Sequence, residues 1–286
     1  MNNKTYTIIT GATSGIGYET AKKLYLKGHY LILGNRNPEK AKTLKEELLS
    51  LDSSGSIDLL QLDLSSMKSI REFTEKVKKN YDKIDILINN AGVFSRELAF
   101  TNEGFEMSKG VNYIGTYYLT ELLVDKLKEN DSAKIIMVSS IGCYWGKLKI
   151  KSNFFNKRVN SFLDYFNSKK ANLVHTKELS KRLDNTNIVV KAADPGVVFS
   201  KIWKWRTKFG RSLEKIQKKI MKTAEEGSRI VVTLATTDKY DKDTNIFFQD
   251  NKPRKLPKKV LDSEYRKQFI EFTEQSIKQH INIKKT

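Results

Sequence analysis

The sequence is poor in the residues that most often cross-link a chain or bind a metal. Cys143 is its one cysteine, so no disulfide can form within the chain. Its three histidines, His29, His175 and His280, lie too far apart in the sequence to suggest a zinc site. We therefore expect neither an internal disulfide nor a structural metal.

Long apolar runs and linkers are also missing. No uncharged apolar stretch approaches the ~20 residues that a membrane-spanning helix needs, and the residues from Met1 to Lys4 show no signal-peptide pattern. The 286 residues suffice for one large α/β domain, and no Pro- or Gly-rich segment divides them. The sequence therefore predicts a single domain over residues 1–286 that is soluble and cytoplasmic.

Acidic residues are scarce relative to basic ones, and the formal net charge is +19 at pH 7. A charge of this sign attracts polyanions, including nucleic acids. However, 42 of the 52 basic residues are lysines, whereas base and phosphate recognition favours the planar fork of arginine. The charges are also spread along every segment, as on a solvated surface. We therefore expect no nucleic-acid partner.

The chain is organised around a glycine-rich stretch, Thr10 to Gly17, which follows the apolar run Tyr6 to Ile9 and precedes a segment with helical spacing. In such a strand-to-helix turn, Gly11, Gly15 and Gly17 can adopt positive φ and let a ligand approach the backbone. The free N–H groups and the positive dipole end of the helix attract a pyrophosphate. The pattern predicts a phosphate cradle; the alternative is a glycine turn without a ligand.

Apolar β-favouring runs alternate with helix-patterned segments along the rest of the chain. The predicted strands cover residues 6–9, 30–33, 57–62, 84–88, 134–138, 188–192 and 245–249. The predicted helices cover residues 18–27, 38–50, 66–80, 105–128, 162–183, 224–235 and 263–279. This alternation predicts an α/β fold of the Rossmann type, a doubly wound parallel sheet of about seven strands with helices on both faces. Ligands are then expected at the carboxyl ends of the strands.

The second predicted strand ends at Asn35 and Arg36, where the adenine ribose of a dinucleotide would lie. Dinucleotide folds that prefer NAD place an acidic side chain there, whereas a 2′-phosphate requires a cation. Because Asn35 is neutral and Arg36 is cationic, the sequence favours NADP over NAD. The alternative is that Arg36 is an ordinary surface charge in a loop.

Tyr165 and Lys169 lie four residues apart in a predicted helix and therefore share one face. Lowering a phenol pKa from ~10 by ~3 units, as acid–base catalysis at neutral pH requires, takes about 4 kcal/mol. An ammonium ~4 Å away at an effective dielectric of ~20 supplies about that much. The pair predicts an activated phenol, and the alternative is an ordinary amphipathic helix.

Taken in order, the motifs of this chain resemble those of the short-chain dehydrogenase/reductase superfamily, and within it the retinol-dehydrogenase-like group. The resemblance covers nearly the whole chain and rests on Thr10-Gly-Ala-Thr-Ser-Gly-Ile-Gly17, Asn89-Asn-Ala-Gly92, Asn112, Ser139-Ser140, Tyr165-Phe-Asn-Ser-Lys169 and Pro195-Gly196. It implies a NADP(H)-dependent oxidoreductase that transfers a hydride between nicotinamide and a carbonyl or alcohol substrate. A dinucleotide-binding regulatory protein without turnover is the alternative.

The resemblance also assigns roles to individual residues. Tyr165 would be the acid/base, Ser140 would position the substrate oxygen, Lys169 would lower the pKa of Tyr165 and hold the ribose, and Asn112 would support a proton-carrying water chain. Ser139 competes with Ser140 for the serine role, and the alternative for Asn112 is a structural amide bonded to backbone. The residues implied in cofactor binding are Gly11, Ser14, Gly15, Ile16, Gly17, Arg36, Asp63, Leu64, Asn90, Ala91, Gly92, Tyr165, Lys169, Pro195, Gly196 and Val197.

The segment at about 197–222 corresponds to the substrate lid of this superfamily and mixes aromatic with basic residues. Trp203, Trp205 and Phe209 could cover a lipophilic carbonyl compound, which predicts a lipophilic aldehyde or ketone as the small-molecule substrate. The alternative is an interfacial helix that makes peripheral contact with an anionic membrane. The sequence leaves both a homodimer and a homotetramer open.

Overall fold

The computed structural model of the protein describes residues 4–151, 153–198 and 221–283. Within these ranges the strands form one sheet of eight strands in the order β3-β2-β1-β4-β5-β6-β7-β8. All neighbouring strands pair in parallel except the last pair, which is antiparallel. The strands are β1 (Tyr6–Thr10), β2 (Tyr30–Asn35), β3 (Ser56–Gln61), β4 (Ile86–Asn89), β5 (Ala133–Val138), β6 (Ile188–Ala193), β7 (Phe247–Gln249) and β8 (Lys252–Pro253).

The helices follow the apolar periodicity of the sequence and begin at recognisable caps. Asn37 and Ser66 cap the second and third helices through their side chains, and Thr223 forms a reciprocal capping box with Glu226. The helices are α1 (Gly15–Leu26), α2 (Pro38–Leu49), α3 (Met67–Asn80), α4 (Met107–Lys109), α5 (Thr116–Lys128), α6 (Ser161–Arg182), α7 (Ala224–Thr236), α8 (Lys258–Leu261) and α9 (Ser263–Ile283).

The helices cover both faces of the sheet. On one face, Leu24 of α1 and Ile230 of α7 pack against strand residues such as Ile9. On the other face, Phe73 of α3 and Leu123 of α5 pack with α6 against the sheet. Burial on both faces explains why the central strands are almost wholly apolar, as in doubly wound folds. The predicted fold class is therefore confirmed.

The C-terminal helix α9 packs against α6 and shares a core cluster with residues of the sheet. Its Phe269 is fully buried and packs in an aromatic cluster with Phe155 and Tyr113. The hydroxyl of Tyr113 is also hydrogen-bonded to Thr273 at 2.9 Å. The helix extends four residues beyond the predicted end at residue 279, and these contacts fix it to the domain.

Two details differ from the sequence-based expectations, and a third expectation lies mostly outside the described residues. The sheet has eight strands in the described residues, not about seven, because β8 forms a short hairpin with β7. The predicted continuous helix over 105–128 is interrupted by a π-helical segment, Gly110–Gly115. Of the predicted lid at about 197–222, residues 199–220 lie outside the described residues, and with them Trp203, Trp205 and Phe209. Among the described residues, no helix combines the length and apolarity needed to cross a bilayer.

Candidate active site

A cavity of about 890 Å³ opens at the carboxyl ends of the central strands. It lies where the strand order reverses between β1 and β4, the position at which doubly wound sheets bind ligands. All of the residues that the sequence implicated in cofactor binding line it: Gly11, Ser14, Gly15, Ile16, Gly17, Arg36, Asp63, Leu64, Asn90, Ala91, Gly92, Tyr165, Lys169, Pro195, Gly196 and Val197.

The glycine turn has the geometry of a phosphate cradle. Gly11 and Gly15 have φ of +68° and +58°, which only glycine adopts at little cost. The expectation of positive φ is wrong for Gly17, because this residue already lies within α1. No side chain of the described residues caps α1 at Ser14, so the N–H groups of its first turn are available where they line the cavity. A Cβ at Gly17 would overlap the amide of Asn90 and the carbonyl oxygen of Gly11. The residues present therefore fit the pyrophosphate of a dinucleotide.

Asn90 and Asp63 shape the cavity through bonds to the protein itself. The Asn90 amide donates to the carbonyl oxygens of Thr10 at 2.9 Å and Gly11 at 3.1 Å, which holds the glycine turn against β4. One carboxylate oxygen of Asp63 accepts from the backbone N–H and the hydroxyl of Ser65. Both residues line the cavity, but much of their hydrogen-bonding capacity is already used.

Two cationic side chains, Arg36 and Lys40, line the part of the cavity that is formed by the residues following β2. Arg36 is exposed there, as the sequence predicted, and Lys40 lines the same part of the cavity from the first turn of α2. Asn37 also lines it, while its side chain caps α2 through the N–H of Lys40. The sequence analysis missed Lys40. The sequence did contain a sign of this role. Lys40 follows the capping residue Asn37 by three positions, and this spacing returns the first turn of α2 toward Arg36.

At the opposite part of the cavity, Ser140, Tyr165 and Lys169 come together. The Ser140 side chain lies close enough to the Tyr165 hydroxyl to lower its pKa, and the Lys169 ammonium lies 5.7 Å from the centroid of the Tyr165 ring. Ser139 is buried and donates its hydroxyl hydrogen to the backbone of Lys169. Of the two serines, Ser140 is therefore the one that meets the phenol.

Burial governs the electrostatics of this group. It raises the pKa of Tyr165 to about 12, while Ser140 lowers that pKa and the charge of Asp194 raises it further. Burial also lowers the pKa of Lys169 to about 8. The Lys169 ammonium donates to the carbonyl oxygen of Val138 at 2.9 Å, and the expected lowering of the pKa of Tyr165 by Lys169 stays a prediction.

Asn112 lies in the π-helical segment and is fully buried. Its amide nitrogen donates to the carbonyl oxygen of Val93 and the hydroxyl of Ser168, and its oxygen accepts from the N–H of Val93 at 2.7 Å. Asn112 does not line the cavity, although a Cβ at Gly92 would contact both its side chain and the Lys169 ammonium. The observed bonds are those of a structural amide, and the water-chain role stays a prediction.

Aromatic residues that the sequence analysis did not single out surround Tyr165. The ring of Phe94 meets Tyr165 edge-on at 5.8 Å between centroids, and Phe162 packs on Phe94 at 5.1 Å. Phe166 contacts Tyr165, Phe162 and Trp145. Phe162 and Trp145 are 46% and 56% exposed. We call Phe94, Trp145, Phe162 and Phe166 the aromatic wall. Phe162 and Phe166 share the helical face next to Tyr165, and that spacing was the signal in the sequence.

Ser140, Tyr165 and Lys169 form a group that can transfer a proton. They line the same cavity as the glycine turn, whose geometry suits a phosphate group. Tyr165 supplies an ionisable hydroxyl, Ser140 lies near it and lowers its pKa, and Lys169 places a cation beside its ring. A carbonyl or hydroxyl group that enters beside Ser140 and Tyr165 would meet two hydroxyl groups, with the rings of Phe94 and Phe166 packed on Tyr165. Such a site suits acid–base chemistry on a carbonyl/alcohol pair.

Comparison with known proteins agrees with this description. The sequence profile of the short chain dehydrogenase family matches residues 5–209. Retinol dehydrogenase 14 of Mus musculus is 32% identical over 294 residues, which cover 96% of this chain and 86% of the relative.

Solved structures share the fold. An uncharacterised protein from Mycobacterium paratuberculosis superposes with a TM-score of 0.75 at 26% identity, over 96% of this chain and 94% of that one. A short-chain dehydrogenase from Sphingobium yanoikuyae in complex with NADPH has a TM-score of 0.64 at 22% identity, over 80% of this chain and 83% of that one. Since the family profile covers most of the sequence and a relative aligns along almost all of it, this chain belongs to the short-chain dehydrogenase family of oxidoreductases.

Proposed function

We propose that the protein is a NADP(H)-dependent oxidoreductase that interconverts a lipophilic aldehyde or ketone and its alcohol, with Tyr165 as the acid/base. The observation that carries this proposal is that Ser140, Tyr165 and Lys169 line the same cavity as the glycine turn. An ionisable hydroxyl in that cavity supports acid–base chemistry beside a bound nicotinamide.

Each catalytic side chain then has a defined task. The bound dinucleotide supplies or accepts the hydride. Tyr165 gives its phenolic proton to the carbonyl oxygen during reduction and takes the alcohol proton during oxidation. Ser140 donates a hydrogen bond to the same oxygen and fixes its position. Lys169 stabilises the tyrosinate through its positive charge and holds the nicotinamide ribose.

As a short-chain dehydrogenase the protein uses a nicotinamide dinucleotide, and we propose NADP in preference to NAD. Arg36 and Lys40 support this choice, because two cations at the ribose end of the cavity suit a 2′-phosphate better than a hydroxyl. The related Sphingobium structure was solved with NADPH. An acidic side chain directly after β2, which would bind the ribose hydroxyls of NAD, is missing at Asn35 and Arg36.

The substrate class follows from the aromatic wall. Phe94 and Phe166 pack on Tyr165, and Phe162 and Trp145 pack on these two rings and are partly exposed. Each aromatic side chain that a ligand covers contributes through burial of its area. The relative from Mus musculus is named a retinol dehydrogenase. A retinoid is therefore one member of the panel of lipophilic carbonyl compounds to be tested. A cytoplasmic location, a homodimer or homotetramer, and a membrane contact through residues 197–222 stay predictions.

The test is NADPH consumption by the purified protein with straight-chain aldehydes of increasing length, aromatic aldehydes, cyclic ketones and retinal. Wild-type protein should turn over at least one lipophilic member, and Tyr165→Phe should lose about 100-fold or more in kcat while still binding the dinucleotide. Equal turnover by the variant would refute Tyr165 as the acid/base. Dinucleotide binding without turnover of any compound would favour the regulatory alternative.

A further inference from the structure

Arg158 lies shortly before α6 and joins two segments that carry rings of the aromatic wall. Its Nη2 donates to the carbonyl oxygen of Arg96 at 2.5 Å and to the hydroxyl of Ser161 at 2.5 Å. The same nitrogen donates to the carbonyl oxygen of Ser95 at 3.4 Å, and the Ser161 hydroxyl in turn donates to the carbonyl oxygen of Arg96 at 3.4 Å. One guanidinium therefore fastens the loop after β4 to the first turn of α6.

Each of the two fastened segments carries one ring of the aromatic wall at the next position. Phe94 precedes Ser95, and Phe162 follows Ser161. The two rings meet edge-on at 5.1 Å between centroids, and Phe94 meets Tyr165 at 5.8 Å. Residues 91–96 belong to neither a helix nor a strand. The position of the Phe94 ring relative to α6 therefore depends on bonds between this loop and the helix.

The backbone on both sides of Arg158 is itself anchored to the interior. Lys109 and Asp164 form a fully buried ion pair at 2.9 Å. The Lys109 ammonium also donates to the carbonyl oxygen of Lys157 at 2.6 Å, and the second carboxylate oxygen of Asp164 accepts from the N–H of Val159 at 3.0 Å. Such a pair keeps its geometry, because breaking it would leave an uncompensated buried charge. The guanidinium of Arg158 therefore projects from a fixed part of the backbone.

The chemistry of the Arg158 bonds suits a lasting attachment. A guanidinium stays protonated throughout the accessible pH range, and hydrogen bonds from a charged donor are roughly twice as strong as neutral ones. Arg158 is half-buried, and the bonds described above end on backbone oxygens and on a hydroxyl. The attachment is therefore directed at the course of the loop and not at a charged partner.

We infer that Arg158 is a positioning residue that sets the preference for long apolar substrates, because it holds Phe94 and Phe162 together beside Tyr165. This inference rests on the proposed function and deepens it, from a lipophilic carbonyl compound to one whose apolar chain runs along the Phe94–Phe162 pair. When the loop is released, a long chain loses apolar contact with these rings, whereas a short one does not reach them.

The test compares Arg158→Met with wild type in the NADPH-dependent reduction of decanal and butanal. Methionine keeps much of the apolar stem of the side chain and removes the guanidinium. We expect KM for decanal to rise about fivefold or more, while KM for butanal and kcat for both aldehydes stay unchanged. Ser161→Ala removes one acceptor of the guanidinium and should raise KM for decanal by a smaller factor.

A double-mutant cycle with Phe94→Ala separates this role from a general effect on the fold. Once the Phe94 ring is gone, release of its loop has little left to act on, so adding Arg158→Met should raise KM for decanal by less than it does in wild type. Arg71→Met is the matched control, because Arg71 is also half-buried and donates to the Tyr118 hydroxyl of α5 at 3.4 Å. It should leave both KM values unchanged.

Thermal unfolding of each variant accompanies the kinetics. Equal rises in KM for the two aldehydes, or full additivity with Phe94→Ala, would overturn the inference and leave the proposed function standing. So would a wild-type protein that reduces decanal no better than butanal. Failure of both Arg158→Met and Ser161→Ala to fold would also overturn it, because these bonds would then be a requirement of the fold. Wild-type protein without turnover of any carbonyl compound would instead refute the proposed function, and the inference with it.

Discussion

Lys169 donates a hydrogen bond to the carbonyl oxygen of Val138 at 2.9 Å, and its ammonium lies beside the ring of Tyr165, 5.7 Å from the centroid. Both groups are buried, and burial opposes the charged form of each. It raises the pKa of Tyr165 to about 12 and lowers that of Lys169 to about 8. The protein alone therefore holds a neutral phenol beside a weakly basic amine, and this state has consequences for pH dependence and for stability.

Carbonyl reduction should lose efficiency as the pH rises through about 8. Tyr165 keeps its proton across the neutral range because its pKa is about 12, so the supply of the proton does not limit reduction there. Lys169, with a pKa of about 8, loses its charge in this window and no longer stabilises the developing tyrosinate. The measurement is kcat/KM for NADPH-dependent reduction as a function of pH.

Lys169→Arg tests whether Lys169 causes that fall. A guanidinium stays protonated throughout the accessible range, so the variant should be slower overall but should show no decline near pH 8. Lys177→Arg, further along the same helix, is the control and should reproduce the wild-type profile. A decline that persists unchanged in Lys169→Arg would assign it to another group.

Replacing Lys169 by methionine should stabilise the protein in the absence of dinucleotide. A folded-state pKa of about 8, below the unfolded value near 10.5, means that the unfolded chain binds this proton more tightly. The buried ammonium therefore lowers the free energy of unfolding by on the order of 3 kcal/mol. This loss is fully present below pH 8 and disappears as the pH rises toward 10.5. Loss of the bond to Val138 subtracts about 1 kcal/mol.

Denaturant unfolding at two pH values checks this prediction. Lys169→Met should be more stable than wild type by about 2 kcal/mol at pH 7, and the difference should shrink or reverse near pH 10. Lys177→Met is the matched control and should show no such pH-dependent gain. A variant that is less stable at pH 7 would show that the ammonium is well accommodated in the cavity.

The sequence was sufficient to predict the fold and the members of the cavity, because both depend on local pattern. Strand and helix periodicity led to the doubly wound sheet, and residues at the carboxyl ends of parallel strands necessarily meet at one edge. This is why Gly11, Asn90 and Gly196, far apart in sequence, line one cavity.

What could not be predicted depends on side-chain direction and burial. The direction of the Lys169 ammonium is set by the carbonyl oxygen of Val138 on β5, a contact between distant segments. The π-helical segment contains Asn112, whose amide is bonded to the backbone of Val93 in a distant segment, and helical periodicity does not reveal this contact. The burial of Asp194 is also not evident from the sequence, in which it resembles an ordinary loop aspartate.

Gly17→Ala should damage the site more than Gly15→Ala. At Gly17 the new methyl group would overlap the carbonyl oxygen of Gly11 and the amide of Asn90, so the turn must move. At Gly15 nothing lies within 4 Å of the new Cβ, so the free energy of unfolding falls only because alanine disfavours the positive φ. We expect losses in unfolding free energy of about 3 kcal/mol or more and of about 1 kcal/mol, respectively.

Thermal unfolding and NADPH titration measure the two glycine effects separately. Gly17→Ala should bind NADPH poorly even where it is folded, because the N–H groups of the first turn of α1 no longer converge on the phosphate. Similar losses for the two variants would argue that the close packing of Gly17 against the turn does not matter.

Arg36 and Lys40 should together determine the preference for NADPH. Each cation that contacts the 2′-phosphate contributes to binding of NADPH and nothing to NADH, so each single alanine variant should lower the NADPH/NADH ratio of kcat/KM by about tenfold. The double variant should lower it further. Lys42→Ala is the control, since Lys42 lies on α2 and pairs with Glu46 outside the cavity. An unchanged ratio in the double variant would exclude both residues as phosphate ligands.

The aromatic wall should discriminate substrates by their apolar length. Phe162 is 46% exposed and packs on Phe94, which itself meets Tyr165, so a long apolar chain bound at Tyr165 would cover it. Phe162→Ala removes part of that buried area. It should raise KM about fivefold or more for long-chain aldehydes and leave KM for short ones unchanged, with kcat preserved in both cases, because the proton donor is untouched.

Leu26→Ala is the matched control for Phe162→Ala, because Leu26 is also half exposed but ends α1 on the side away from the cavity. It should leave KM for every aldehyde unchanged. If Phe162→Ala raised KM for short and long aldehydes equally, the effect would lie in the shape of the site and not in apolar contact along the chain. A dependence on chain length that is lost in Phe162→Ala and kept in Leu26→Ala would assign substrate length recognition to the wall beside the catalytic phenol.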